Sequence, residues 1–229
     1  MDDTLLDTSR GLEEAWELAC RDAAPALGCE WTVIREAIRR EAREFWRDEA
    51  AVGHWRTRLL EARMHVVRLA LAAEGLDPAA AETLADRYGE EVTPRIQLFD
   101  DAVETLEWVR SQGFRLALIT NGPASMQRAK IERFGLEPHF DVLVVEGVFG
   151  RGKPDIEVFR HALTETGTRP EEAWHVGDNL YADIGGAQNA GIHAVWIHRD
   201  RLELDEQPSA VPDRVIGHLD ELRAALAGD

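Results

Sequence analysis

The hydrophobic period changes near Leu98, and that change does most to limit what this chain can fold into. From there, short apolar runs at residues 115–120, 141–145, 174–177, 193–197 and 214–216 alternate with helical patterns at 102–111, 125–134, 156–166 and 187–190. Strands that are apolar along their whole length are buried on both faces, and strands that alternate with helices pair in parallel. The reading is α/β, a doubly wound parallel sheet. Open sheets of this kind bind ligands beyond the carboxyl ends of their strands.

The first half obeys a different rule. Trp31, Ile34, Ile38, Ala42 and Phe45 recur at helical spacing, as do Trp55, Leu59, Ala62, Val66 and Ala73. Leu12, Ala15, Trp16 and Ala19 begin an earlier helix. Breaks are expected at residues 25–28, at Gly53 and at 75–78, with Pro78 starting a later helix at a position proline tolerates. These breaks divide residues 10–95 into four segments of a small antiparallel bundle. The expected division is therefore 1–9 with 96–229 for the α/β part and 10–95 for the helical insertion.

With 45% hydrophobic and 30% charged residues the chain is an ordinary globular protein. A formal charge of −17 argues against nucleic acid, whose phosphates need a basic footprint, and against an anionic membrane surface. An anionic substrate must then be held by local cations or a metal. Cys20 and Cys29 lack zinc-site spacing and read as free thiols of a reducing compartment. No apolar run approaches the roughly 18 residues of a membrane span, and no leader pattern opens the chain, so a cytoplasmic location is expected.

Four places carry candidate chemistry. The run Trp174-His175-Val176-Gly177-Asp178 delivers a carboxylate to a strand end, and Asp183 follows five residues later. Gly177 is expected to turn the backbone, and the next helix to begin near Ala182. Asp178 and Asp183 suit a common hard cation such as Mg²⁺; they also suit a helix cap with a solvated charge. Thr120-Asn121-Gly122 ends the strand at 115–120 with a hydroxyl and turn amides, which fits either phosphate oxygens or a plain strand-to-helix turn. Lys153, beside Pro154, reads as an anion-neutralising cation or a solvated lysine. Asp2-Asp3-Thr4-Leu5 opens the chain.

Taken in order, Thr120, Lys153, and Gly177-Asp178 with Asp183 resemble the second, third and fourth motifs of the haloacid dehalogenase superfamily of hydrolases. The chain is similar, more narrowly, to its C1-capped phosphatase branch (subfamily IA type). That resemblance implies a Rossmann-like core with residues 10–95 as a helical cap. The family's first motif is Asp-x-Asp-x-Thr. Thr4 sets its register, so that Asp2 takes the acid/base position and the nucleophilic Asp is expected just upstream of Met1.

The resemblance implies a Mg²⁺-dependent phosphomonoester hydrolase acting through an aspartyl phosphate on a small phosphorylated metabolite. Asp2 and Lys153 would be catalytic, Thr120, Asn121 and Lys153 would bind phosphate, and Asp2, Asp178 and Asp183 would hold the metal. The acidic pair favours phosphate over halide, because displacing halide from carbon needs no Mg²⁺. A 2-haloacid dehalogenase and a non-catalytic phosphate-binding protein stay open as alternatives. Trp55, Arg56 and Arg58 suit either contact with a substrate's far end or bundle packing. Monomer and homodimer both fit the reading.

Overall fold

The computed structural model describes residues 1–47, 55, 58–199 and 210–227. They fall into two compact units, Met1–Asp7 with the chain from Leu98 onward, and Thr8–Gln97. The first unit opens with a tight loop, in which the Met1 carbonyl accepts the Leu5 and Leu6 N–H groups at 2.8 and 3.1 Å. Asp3 is left-handed there, φ 53°, a conformation short polar side chains tolerate. The short strand β1 (Leu6–Asp7) follows.

The second unit is helical. Its described helices are α1 (Leu12–Leu27), α2 (Trp31–Phe45), α3 (Leu59–Ala73) and α4 (Ala81–Val92). The stripe in α2 delivers Ile34 and Ile38 to a shared core with Ala15, Ala19, Val67, Leu71 and Leu84. A buried Leu or Ile side chain stabilises such a core by about 1.5–3 kcal/mol. The break expected at residues 25–28 falls at the end of that range: α1 runs through Pro25, ends at Leu27 and is capped by Gly28, φ 67°. Proline in a last turn removes only one N–H, and Gly28 can take the left-handed C-terminal conformation. The break expected at Gly53 lies outside the described residues. At 75–78 the chain does turn, and the Asp77 carboxylate accepts the Ala79 N–H at 2.9 Å. No described helix is long and apolar enough to cross a membrane.

After β2 (Gln97–Leu98) the strands and helices alternate. The order is α5 (Ala102–Ser111), β3 (Ala117–Thr120), α6 (Ala124–Arg133), β4 (Val142–Val145), α7 (Glu146–Phe149), α8 (Ile156–Thr166) and β5 (Trp174–Gly177). A wide π-helical turn at Leu180–Gly185 leads into α9 (Gly186–Asn189), then β6 (His193–Ile197), β7 (Arg214–Ile216) and α10 (Leu222–Ala227). The helix expected near Ala182 begins two residues earlier, because Asn179 Oδ1 caps the Tyr181 and Ala182 N–H groups at 3.0 and 2.8 Å.

Every strand pairing from β3 onward is parallel. β3 pairs with β4, from Ala117 opposite Val142 to Thr120 opposite Val145. β5 pairs with β6, and β6 with β7. Ile119, Val144, Phe159, Ile184 and Trp196 meet in the core behind these strands. Residues 116–119 and 173–176 line one cavity of about 270 Å³, together with Met1, Thr4 and Leu5.

Candidate active site

Parallel pairing sends Thr120, Gly177 and the residues after them to strand carboxyl ends, and two hydroxyls join these places. Thr4 Oγ1 donates to Asp178 Oδ1 at 3.1 Å and also approaches the Asp2 carbonyl at 3.4 Å. Gln127 Nε2 donates to Thr120 Oγ1 at 2.6 Å, to the Asn121 carbonyl at 2.8 Å and to Asp2 Oδ2 at 3.1 Å. Asp2, Thr120, Asn121 and Asp178 are thereby tied into one network.

Lys153 and Asp183 form the most buried ion pair of the site, 2.5 Å apart. Asp183 Oδ1 also contacts His175 Nε2 at 3.0 Å, and Oδ2 accepts the Asn179 N–H at 3.1 Å. Both oxygens of Asp183 are thus engaged by protein donors. Burial alone would raise this carboxyl, but Lys153 and then His175 override it and hold it far below the ordinary range. Burial in turn lowers His175.

Asp178 is in the opposite state. Burial first, and the nearby charge of Asp183 second, push its carboxyl above the usual value. Its backbone is fixed by the Trp196 indole N–H, 2.7 Å from the Asp178 carbonyl. Asp2 Oδ2 is held by Lys130 at 2.8 Å, while Oδ1 is buried with no hydrogen-bond partner. Burial would raise Asp2 as well, yet Lys130 brings it below its ordinary value.

Asn121 does not point at open space. Its side chain clamps the Lys153 backbone, donating to the carbonyl at 2.8 Å and accepting the N–H at 2.8 Å. The turn amide of Gly122 donates to Glu146 Oε2 at 2.9 Å. Gly177 is needed for space and not for the turn expected of it: a Cβ there would lie 2.3 Å from Asp183 Cγ. Trp55 stacks on His65 at 5.4 Å, and Arg58 pairs with Glu61 at 2.6 Å inside the helical unit. Arg56 lies outside the described residues.

The sequence reading missed Gln127, Lys130, Glu146 and His175. Three of them carried a signal. Gln127 and Lys130 lie three apart on α6 and so share a face, and Glu146 follows strand β4 as Asp178 follows β5. Among the described residues, no three acidic, histidine or cysteine side chains converge as a metal cluster. What the site offers instead is a half-buried carboxylate at Asp178, an unpartnered oxygen on Asp2, and the carbonyl of Asp2 beside Thr4. These are hard oxygen donors and suit a hard cation.

Residues 1–191 match the model of the family described as haloacid dehalogenase-like hydrolase. A phosphoserine phosphatase of Thermus thermophilus is 37% identical, over 99% of this chain and 97% of its own. The HAD-hydrolase YfnB of Bacillus subtilis, whose structure is bound to magnesium, superposes with a TM-score of 0.75 at 26% identity, over 99% and 95% of the two chains. A 2-haloacid dehalogenase of Pseudomonas syringae pv. Tomato superposes at 0.64 with 32% identity, over 99% and 95%.

Proposed function

Because the chain belongs to the haloacid dehalogenase-like hydrolases, we propose that it is a cytoplasmic Mg²⁺-dependent phosphomonoesterase of small phosphorylated metabolites, working through an aspartyl phosphate. The observation that carries this reading is Asp178. Its carboxylate sits half-buried at the end of β5 and is raised first by that burial and then by Asp183, while the buried Lys153 is committed to Asp183. Such a charge asks for a cation. Haloacid chemistry at carbon gives it no use. The phosphatase name of the Thermus relative and the magnesium in the Bacillus structure point the same way.

In this reading Asp178 and Asp2 would hold Mg²⁺, while Asp183, whose two oxygens are taken by Lys153, His175 and the Asn179 N–H, holds Lys153 in place beside them. When bound, the cation supplies charge neutralisation for a phosphate dianion meeting a carboxylate. Lys153 adds fixed positive charge beside the equatorial oxygens, and Thr120 offers its hydroxyl. Asn121 contributes by holding the Lys153 backbone in place. Asp2 has Oδ2 anchored by Lys130 and Gln127, which leaves Oδ1 to exchange the proton. An arriving dianion raises Asp2 by like-charge repulsion and favours the protonated form that donates to the leaving alkoxide. Once the alcohol leaves, the depressed carboxyl returns to the base form that activates water.

The attacking carboxylate belongs, in the register set by Thr4, to the residue immediately before Met1. The 270 Å³ cavity supports that placement, since it runs between the edges of β3 and β5 and reaches Met1. The helical unit is the family's cap and sets substrate choice. The test is hydrolysis of p-nitrophenyl phosphate, with and without EDTA, by protein carrying its residues upstream of Met1. Asp178→Asn should lower turnover about 10²-fold or more while the fold survives. Halide release from 2-chloropropionate without phosphate release would replace this reading by the dehalogenase. Neither activity would replace it by a binding protein.

A further inference from the structure

The helical unit holds a cavity of its own, about 570 Å³, lined by all four of its described α-helices. That is the size of a site for a small organic ligand. Its charge is unusual for a chain at −17: Arg35, Arg39, Arg43 and Arg63 face one carboxylate, Glu13. Glu13 is shared by Arg35 at 2.7 Å and Arg39 at 2.8 Å. Among the described residues, Arg43 and Arg63 have no carboxylate within ion-pair distance. Arg35 is buried, and its Nε has no hydrogen-bond partner.

Arg63 is the most telling of the four. Its guanidinium lies over the Tyr88 ring, 4.5 Å from the centroid, and Tyr88 stacks on Trp16 at 3.9 Å. A guanidinium stacked on a ring keeps its edge N–H groups for an acceptor in its own plane. Helix α4 makes room for it with Gly89, where a Cβ would come 3.4 Å from Arg63 Nη1. Burial lowers the Arg63 pKa, yet a guanidinium stays charged in proteins. The result is a half-buried cation that no carboxylate among the described residues contacts directly, with Asp86 acting on it only from further off, beside the apolar wall of Leu59 and Val66. Bundle packing alone would put a leucine or methionine there.

We propose that this cavity binds a small organic anion, a carboxylate or phosphate head on an apolar body, with Arg63 as its main anchor. The proposal does not rest on the phosphatase reading, because every residue in it belongs to the helical unit.

Benzoate and phenylphosphonate are the probes, with benzyl alcohol and sodium chloride at matched ionic strength as controls. Both binding heat and the thermal unfolding midpoint are read. At least one anion should bind the intact chain and raise its midpoint, and the controls should not. Arg63→Met should weaken binding at least tenfold, while its unliganded midpoint holds or rises; a merely structural arginine would lower it. Asp178→Asn, in the other unit, should bind whichever anion binds the unaltered chain with the same affinity, and loss of binding there overturns the proposal. Failure of both anions to bind, or binding to Arg63→Met at full affinity, overturns the proposal. If that variant does not fold, Ala42→Leu decides in its place. It fills the cavity without removing a charge and should cost the same tenfold, and full affinity there overturns the proposal equally.

Discussion

The two units bury polar groups on opposite terms. In the α/β unit Lys153 is sealed against Asp183, with His175 and the Asn179 N–H completing the shell. Thr120, Gln127 and Glu146 are buried beside them, each with a partner. In the helical unit the buried side chains are almost all apolar, and Arg35 is the charged one among the described residues. Together with Arg39, Arg43 and Arg63 it lines a cavity. One unit has built a fixed, internally neutralised polar network, and the other a cationic recess open to a ligand. Fixed networks suit chemistry, where groups must not move. A cationic recess suits recognition.

The strongest way to break that comparison is to remove one half of the sealed pair. Lys153→Met leaves Asp183 buried without its main counter-charge, and Asp183→Asn leaves Lys153 in the same position. Each should destabilise the chain by about 3–5 kcal/mol. The double variant Lys153→Met with Asp183→Asn should cost clearly less than the two single losses added. Urea unfolding of all four proteins measures this coupling. Additive losses would mean that the pair is not a unit, and the contrast with the helical unit would fall.

A smaller effect sharpens the same point sterically. Gly177→Ala places a methyl 2.3 Å from Asp183 Cγ, so the carboxylate must shift away from Lys153 and His175. Overpacking of this sort costs about 1–3 kcal/mol. Gly28→Ala in the helical unit meets nothing within 4 Å and suffers only the left-handed strain, on the order of 1 kcal/mol. If the two variants unfold at the same denaturant concentration, close approach is not what Gly177 provides.

These contrasts also show what a sequence can display. The helices at Ala102–Ser111 and Ile156–Thr166 and the strand His193–Ile197 were legible to the residue, because period and stop signals agree there. So were the strand ends that carry Thr120 and Asp178. The division of labour within the site was not. Asp178 and Asp183 look alike in sequence, but only Asp183 lies within 2.5 Å of Lys153, and that contact joins residues 30 apart. Asn121 looked like a phosphate donor and clamps the Lys153 backbone. The break at 25–28 was legible, but not that Gly28 and not Pro25 makes it. Pairings across strands decide such things, and local patterns do not carry them.

The smallest expected effect concerns acid stability. In the α/β unit Asp141 accepts the Leu116 N–H at 2.9 Å and pairs with Arg115 at 3.1 Å, and the backbone bond leads in holding its carboxyl below the ordinary value. In the helical unit burial would raise Glu13, but Arg35 and Arg39 bring it below its own ordinary value. A carboxyl that is lower in the folded chain stabilises it above the unfolded pKa, about 3.9 for Asp and 4.3 for Glu. That contribution is lost as pH falls through the folded value. The Glu13 side chain is 71% exposed against 21% for Asp141, so solvent screens its ion pairs to a few tenths of a kcal/mol. A charge-assisted bond to a backbone N–H keeps closer to 1 kcal/mol. Asp141→Asn should therefore flatten the fall in stability between pH 5 and pH 3 more than Glu13→Gln does. Urea midpoints taken across that window decide it. A larger flattening from Glu13→Gln would show that the arginine recess, and not the backbone-anchored acid, governs the acid limit.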